Sequence, residues 1–180
     1  MEEARKAYEE ALAIRRKLAA STPDTYLPDV AMTLNNLGVL HRDQNRMDEA
    51  RKAFEEALAI RRKLAASNPD TYLPDVAMTL NNQGILDSDQ NRMEEARKAF
   101  EEALASYRKL AASNPNTYLP YVARVLWGIG RTHLATHHRE EAGAALTEAL
   151  DIYSKFAERD PAQYGPFLQL VKRDLAKVAQ

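Results

Sequence analysis

Met47-Asp48-Glu49-Ala50-Arg51-Lys52-Ala53-Phe54 decides the fold, because the phrase already stands at Met1-Glu2-Glu3-Ala4-Arg5-Lys6-Ala7-Tyr8 and returns at Met93-Glu94-Glu95-Ala96-Arg97-Lys98-Ala99-Phe100. A fainter copy, Arg139-Glu140-Glu141-Ala142-Gly143-Ala144-Ala145-Leu146, keeps the same offset of 46 residues. Repetition at such a period is the signature of a solenoid, whose units bury their apolar faces against neighbours. Solenoids present long surfaces, whereas enzymes converge unlike residues on one pocket, so the repeat favours binding over catalysis.

Working outward, the stretch from Met47 to Ser67 is rich in Ala, Leu, Glu, Lys and Arg and contains neither Gly nor Pro, which predicts a helix. Ala50, Ala53, Phe54, Ala57, Leu58 and Leu64 fall at helical steps and make one apolar stripe. The opposite face carries Arg51 and Glu55, Lys52 and Glu56, four-residue pairs suited to a solvated surface. Ser67-Asn68-Pro69-Asp70 ends this helix, since proline removes an amide donor and biases its predecessor away from helix. The spacing places Tyr72 and Leu73 in a connector and Pro74 in the first turn of the next helix. That helix is expected to run to about Gln90 and to stop at Asn91, a residue tolerant of the left-handed conformation. Each period is therefore a helical hairpin, and the equivalent first helix upstream spans about Pro28 to Gln44.

Composition sets limits on partners. The 180 residues are 45% apolar and 28% charged, ordinary for a folded chain with a real core. Twenty-five basic and 26 acidic residues are spread evenly to a net charge of −1, so no basic stripe suits nucleic acid. No apolar run approaches a membrane span and the charged start is unlike a secretion signal, so no membrane is expected. The absence of cysteine rules out disulfides and thiolate chemistry and fits the cytoplasm.

Seven linked positions in each period resemble the tetratricopeptide repeat: Leu34, Leu37-Gly38, His41, Ala50, Phe54 and Ala57 take its places in order. Leu80, Gln83-Gly84, Asp87, Ala96, Phe100 and Ala103 follow in the next copy, then Leu126, Ile129-Gly130, His133, Ala142, Leu146 and Ala149. The period is longer than the usual one, and with Thr-Leu-Asn-Asn before Leu-Gly it is similar to the long repeats of kinesin light chains and bacterial signalling proteins. HEAT repeats share the length and the two helices but lack the Leu-Gly and Ala-aromatic-Ala grammar. The resemblance implies an all-α fold, a right-handed α-α superhelix of about seven antiparallel helices in one domain. Its parts are a half repeat at 1–27, repeats at 28–73, 74–119 and 120–165, and a capping helix at 166–180.

In this family the first helices line a concave groove, and residue-by-residue transfer places Met32, Asn35, Val39 and Arg42 there. Met78, Asn81, Ile85 and Ser88 follow, then Arg124, Trp127 and Arg131. The mixture suits an extended peptide, with asparagines for its backbone, Met and Ile for apolar side chains and arginines for carboxylates. Trp127 replaces Asn35 and Asn81 and is the candidate anchor; the alternative is that it packs in the core. Co-chaperone members hold a C-terminal carboxylate with a Lys and Asn clamp, but Val39, Ile85 and Arg131 occupy the asparagine place here.

The chain begins on a second helix, so the stripe Ala4, Ala7, Tyr8, Ala11, Leu12 and Leu18 lacks one cover. Either the chain is a piece of a longer array or these helices associate into a homo-oligomer, helix-swapped or not. The two best copies differ at seven places, four of them Leu37/Gln83, Val39/Ile85, His41/Asp87 and Arg42/Ser88. Gln83 and Asp87 put polar groups on the inward face, where they bond each other, stay unpaired, or reach solvent at an edge. His133 and His137 stand one turn apart beside His138, Glu140 and Glu141, yet one takes the aromatic place and the other the turn, so no metal and no cofactor is expected. There is no phosphate loop, nucleophile elbow or triad, so no catalytic residue is expected either. The sequence thus points to a non-catalytic scaffold for a protein or peptide, with self-assembly as the alternative.

Overall fold

The computed structural model describes residues 2–179. Among them are eight helices and no strand: α1 (Glu2–Ser21), α2 (Pro23–Asp43), α3 (Met47–Ser67), α4 (Pro69–Asp89), α5 (Met93–Ser113), α6 (Pro115–Ala135), α7 (Arg139–Arg159) and α8 (Pro161–Leu175). The array is all-α, with eight helices where about seven were expected.

The first helices start earlier than the sequence reading placed them. Pro23, Pro69, Pro115 and Pro161 each open a helix, where the missing N–H costs nothing. Residues before them act as caps: Asn68 Oδ1 accepts from Thr71 N at 3.3 Å, Asn114 Oδ1 from Thr117 N at 3.2 Å and Asp160 Oδ1 from Gln163 N at 2.9 Å. The expected connector therefore shrinks to one residue, and Tyr72 and Leu73 are helical. Pro28, Pro74, Pro120 and Pro166 lie inside their helices, each removing one early backbone bond.

The other junction behaves as expected. Asn45 and Asn91 take φ of 59°, and His137 does the same at 62°. Arg46, Arg92 and His138 then donate their backbone N–H to the carbonyls of His41, Asp87 and His133 at 2.8, 2.8 and 2.9 Å, closing the helix ends.

The chain forms two compact units, Met1–Leu86 and Asp87–Gln180. In the N-terminal unit Leu12, Ala19, Val30, Leu34, Leu37 and Ala57 make one buried cluster, with Tyr8, Tyr26, Leu27 and Ile60 against it. Ala50, Phe54 and Leu86 make a second with Val39 and Met47. A Cβ on Gly38 would stand 2.5 Å from the Phe54 ring, so the α2–α3 approach requires glycine there. Gly130 repeats this in the C-terminal unit, 2.6 Å from Leu146.

Where each second helix meets the next first helix, the two units use different chemistry. In the N-terminal unit Arg15 donates to the Asp29 carbonyl and to Thr33. Arg61, only 2% exposed, donates to the Asp75 carbonyl at 3.0 Å and to Thr79 Oγ1 at 2.5 Å. In the C-terminal unit the same place holds rings: Tyr107 stacks on Tyr121 at 5.2 Å and Tyr153 on Phe167 at 5.6 Å.

Three sequence expectations change here. On α1, Leu12 is buried against α2 and Tyr8 is half-buried, so neither belongs to an uncovered stripe; Ala4, Ala7 and Leu18 are exposed, Ala11 is half-buried, and Ile14, which the stripe omitted, is 60% exposed. Asp87 is 5% exposed and thus does not reach an open edge, while Gln83 is half-buried. Glu56 pairs with Arg16 of α1 at 2.5 Å rather than along its own helix with Lys52.

Candidate binding surface

The expected groove residues fall into two groups. In the N-terminal unit Met32 is 42% exposed, but Asn35 and Asn81 are buried. Asn35 Oδ1 accepts from Asn82 Nδ2 at 3.1 Å, and Asn81 Oδ1 is buried without a hydrogen-bond partner. These asparagines are therefore turned into the protein rather than offered to a peptide backbone, which corrects the role the resemblance implied. Val39 packs on the Phe54 cluster, Arg42 pairs with its neighbour Asp43 at 2.8 Å, and Met78 and Ile85 are half-buried. Ser88, in the C-terminal unit, shares a hydrogen bond with Thr132 at 3.3 Å.

The C-terminal unit presents a different surface. Arg124, Trp127 and Arg131 follow one another at helical steps of three and four along α6, so one face carries all three. Trp127 is half-buried, and its Nε1 donates to Asp174 Oδ2 of α8 at 2.8 Å. Asp174 is 1% exposed and also accepts from Lys177 Nζ at 2.6 Å. Burial works to raise the Asp174 pKa, yet the hydrogen bonds from Lys177 and Trp127 outweigh it and hold the carboxyl below its usual range. The indole is thus fixed at one edge, and the Arg131 guanidinium lies over its face, 5.6 Å from the ring centroid.

Arg124 is held in the same manner, 5.4 Å from the Phe167 centroid and 5.9 Å from that of Tyr121. It lines a cleft of about 250 Å³ together with Pro120, Tyr121, Tyr153, Gln163 and Phe167. Burial pushes the Tyr153 phenol up to about 12, against the pull of the nearby Arg124 charge. Arg124 also acts on its hydroxyl as a hydrogen-bond donor, but at a geometry too poor to satisfy it. Among the described residues neither Arg124 nor Arg131, both exposed, has a carboxylate partner. The Arg124 cleft joins α6, α7 and α8, a convergence invisible to the repeat pattern; the signal was the run of substitutions at Tyr121, Arg124 and Trp127.

His133 meets His138 edge-on at 5.9 Å, exposed His137 sits at the left-handed turn, and no group of three His, Cys, Asp or Glu placed to hold a metal ion occurs among the described residues.

Family models for the tetratricopeptide repeat match residues 1–63 and 29–109 in one case and 81–163 in another. The chain belongs to the tetratricopeptide repeat family. Its repeats make it a protein-interaction scaffold of the kind that family supplies, and such proteins are generally non-catalytic. No curated protein matches the tetratricopeptide chain described here. Among solved structures it is similar to that of BtubC (BKLC) from P. vanneervenii, with 18% identity and a TM-score of 0.56 over 98% of this chain and 82% of that one. At that identity the likeness speaks to fold. No helix among the described residues is long and apolar enough to cross a membrane.

Proposed function

We propose that this tetratricopeptide chain is a non-catalytic scaffold that seats an extended segment of a partner protein along α6 and α8, with acidic side chains of the partner meeting Arg124 and Arg131. One observation carries the reading: both guanidiniums are exposed, stacked on rings and free of carboxylates. Stacking leaves the planar edges of an arginine available for bidentate bonds, and it restricts the side chain beforehand. α6 contains no acidic residue, so an acidic partner meets no like charge along that helix. The lack of cysteine favours the cytoplasm as the compartment.

The test is capture of arrayed acidic and neutral peptides by wild-type protein and by Arg124→Ala/Arg131→Ala. Loss of the acidic set supports the site; equal capture by both proteins moves it elsewhere. Trp127 is a poor first target, because its removal also strips Asp174 of a donor.

Self-assembly is a second reading, favoured by Ile14 at 60% and Leu18 at 41% exposure on α1.

A further inference from the structure

The open face of α1 is the face that its sister helices cover. In α3, Ala50, Ala53 and Ala57 are 0, 8 and 0% exposed, and Ala57 clusters with Leu34 and Leu37 of α2. In α7, Ala142, Ala145 and Ala149 are 0, 9 and 0% exposed, beside the tight Gly130–Leu146 approach of α6. The corresponding residues of α1 are Ala4, Ala7 and Ala11, continued by Ile14 and Leu18; all are exposed but Ala11, which is half-buried. Its steps of three and four place all five on one side of the helix, about a quarter-turn from the Tyr8, Leu12 and Ala19 face that packs on the neighbouring cluster.

A second feature points to what covers it. Glu56 and Glu148 each take a cation from a helix 40 residues earlier, Arg16 at 2.5 Å and Arg108 at 2.7 Å. Glu10 is the first member of that row, and among the described residues it has no ionic partner; nor does Lys17, two turns further along the same flank.

We infer that two copies of the chain pair through α1, antiparallel about a two-fold axis passing between Leu12 and Ala13. This rests on the self-assembly reading above and fixes its geometry. In this register Ala4 faces Ser21 of the other copy, Ala7 faces Leu18 and Ala11 faces Ile14, and the axis repeats each contact. Every layer therefore sets a small residue against a larger or polar one, as interdigitated helices require. Glu10 of each copy lies on the same flank as Lys17 of the other, offset by two residues or about 3 Å along the axis, which supplies the missing cation. An isologous interface uses the same patch twice, so every substitution counts twice.

The experiment is sedimentation equilibrium of the full chain from 1 to 100 µM, with far-UV circular dichroism to check folding. Wild type is expected at twice the mass of one chain in the upper part of that range. Ile14→Asp is expected to sediment as one chain with unchanged helicity, since the side chain is 60% exposed. Glu10→Lys and Lys17→Glu should each weaken pairing about tenfold, and the double reversal should recover to within about threefold of wild type. A wild-type monomer throughout overturns both the self-assembly reading and this geometry. A dimer indifferent to Ile14→Asp, or one the double reversal fails to rescue, retains self-assembly but overturns the geometry.

Discussion

The N-terminal and C-terminal units solve the same packing problem with opposite chemistry. Positions 15 and 61 are Arg while 107 and 153 are Tyr; positions 29 and 75 are Asp while 121 and 167 are aromatic; positions 33 and 79 are Thr while 125 and 171 are Val. The three places change as a set because they touch one another: Arg61 bonds Asp75 and Thr79, Tyr107 stacks on Tyr121. A buried guanidinium needs acceptors close by, and Arg61 finds them in the Asp75 carbonyl and Thr79 although its Nε is buried without one, so these bonds tie the two helices into one arrangement. Stacked rings contribute area and a modest geometric preference, and they leave polar groups nearby free. That freedom is what Arg124 uses, standing over Tyr121 and Phe167 where the other unit has Met32 and Met78.

The strongest way to break the comparison is Arg61→Ala, expected to destabilise by about 3 kcal/mol through the cavity and lost bonds. Urea titration followed by circular dichroism measures it, and a loss below about 1 kcal/mol would mean that the polar contacts do not hold the hairpins together. Next comes a graft of one solution onto the other. Arg61→Tyr alone should lose about 2 kcal/mol, and adding Asp75→Tyr with Thr79→Val should restore most of it. Additive losses would show that the three places are independent. On the aromatic side Tyr153→Phe should gain up to about 1 kcal/mol, because it removes a buried hydroxyl that lacks a bond. A loss of similar size would place a partner on that hydroxyl.

The smallest effect separates the units by pH. His41 is buried beside Arg46, Glu49, Glu9 and Arg5, and desolvation, then the Arg46 charge, lowers its pKa below 6.5. His133 is shifted the same way, chiefly by desolvation, beside Glu141, His138, Arg97 and Glu101. The unfolded chain then holds more protons than the folded one just below pH 6.5, so stability falls as the solution is acidified toward the folded pKa. His41→Phe, which restores the family's aromatic, should flatten part of this loss between pH 7 and 5.5, by less than about 1 kcal/mol. His133→Phe should flatten the remainder, and a melting temperature independent of pH in wild type would contradict both shifts.

Most of the frame was legible because the repeat states its own periodicity: Ala50, Phe54 and Gly38 announce a tight hairpin through residue type alone. The helix start at Asn68-Pro69 was less legible, because a proline that stops one helix also opens the next when a capping residue stands before it, as Asn68 does here and Asn114 does one period later. Side-chain partners were less legible. A face can be read from spacing, but nothing in the pattern said that Asn35 would bond Asn82, or that the Trp127 edge would be claimed by Asp174, 47 residues away. Ile14 was legible from spacing alone, three residues past Ala11 and four before Leu18, and belongs with them on the α1 stripe.

The junctions between helices consist of single residues at 22, 68, 114 and 160 and triplets at 44–46, 90–92 and 136–138. A protease must draw an extended segment of several residues into its cleft, and no such slack exists between Glu2 and Leu175. Cleavage there must wait for a hairpin to open, so the lifetime of the chain among proteases is governed by how often its hairpins open rather than by the sequence of any cut site.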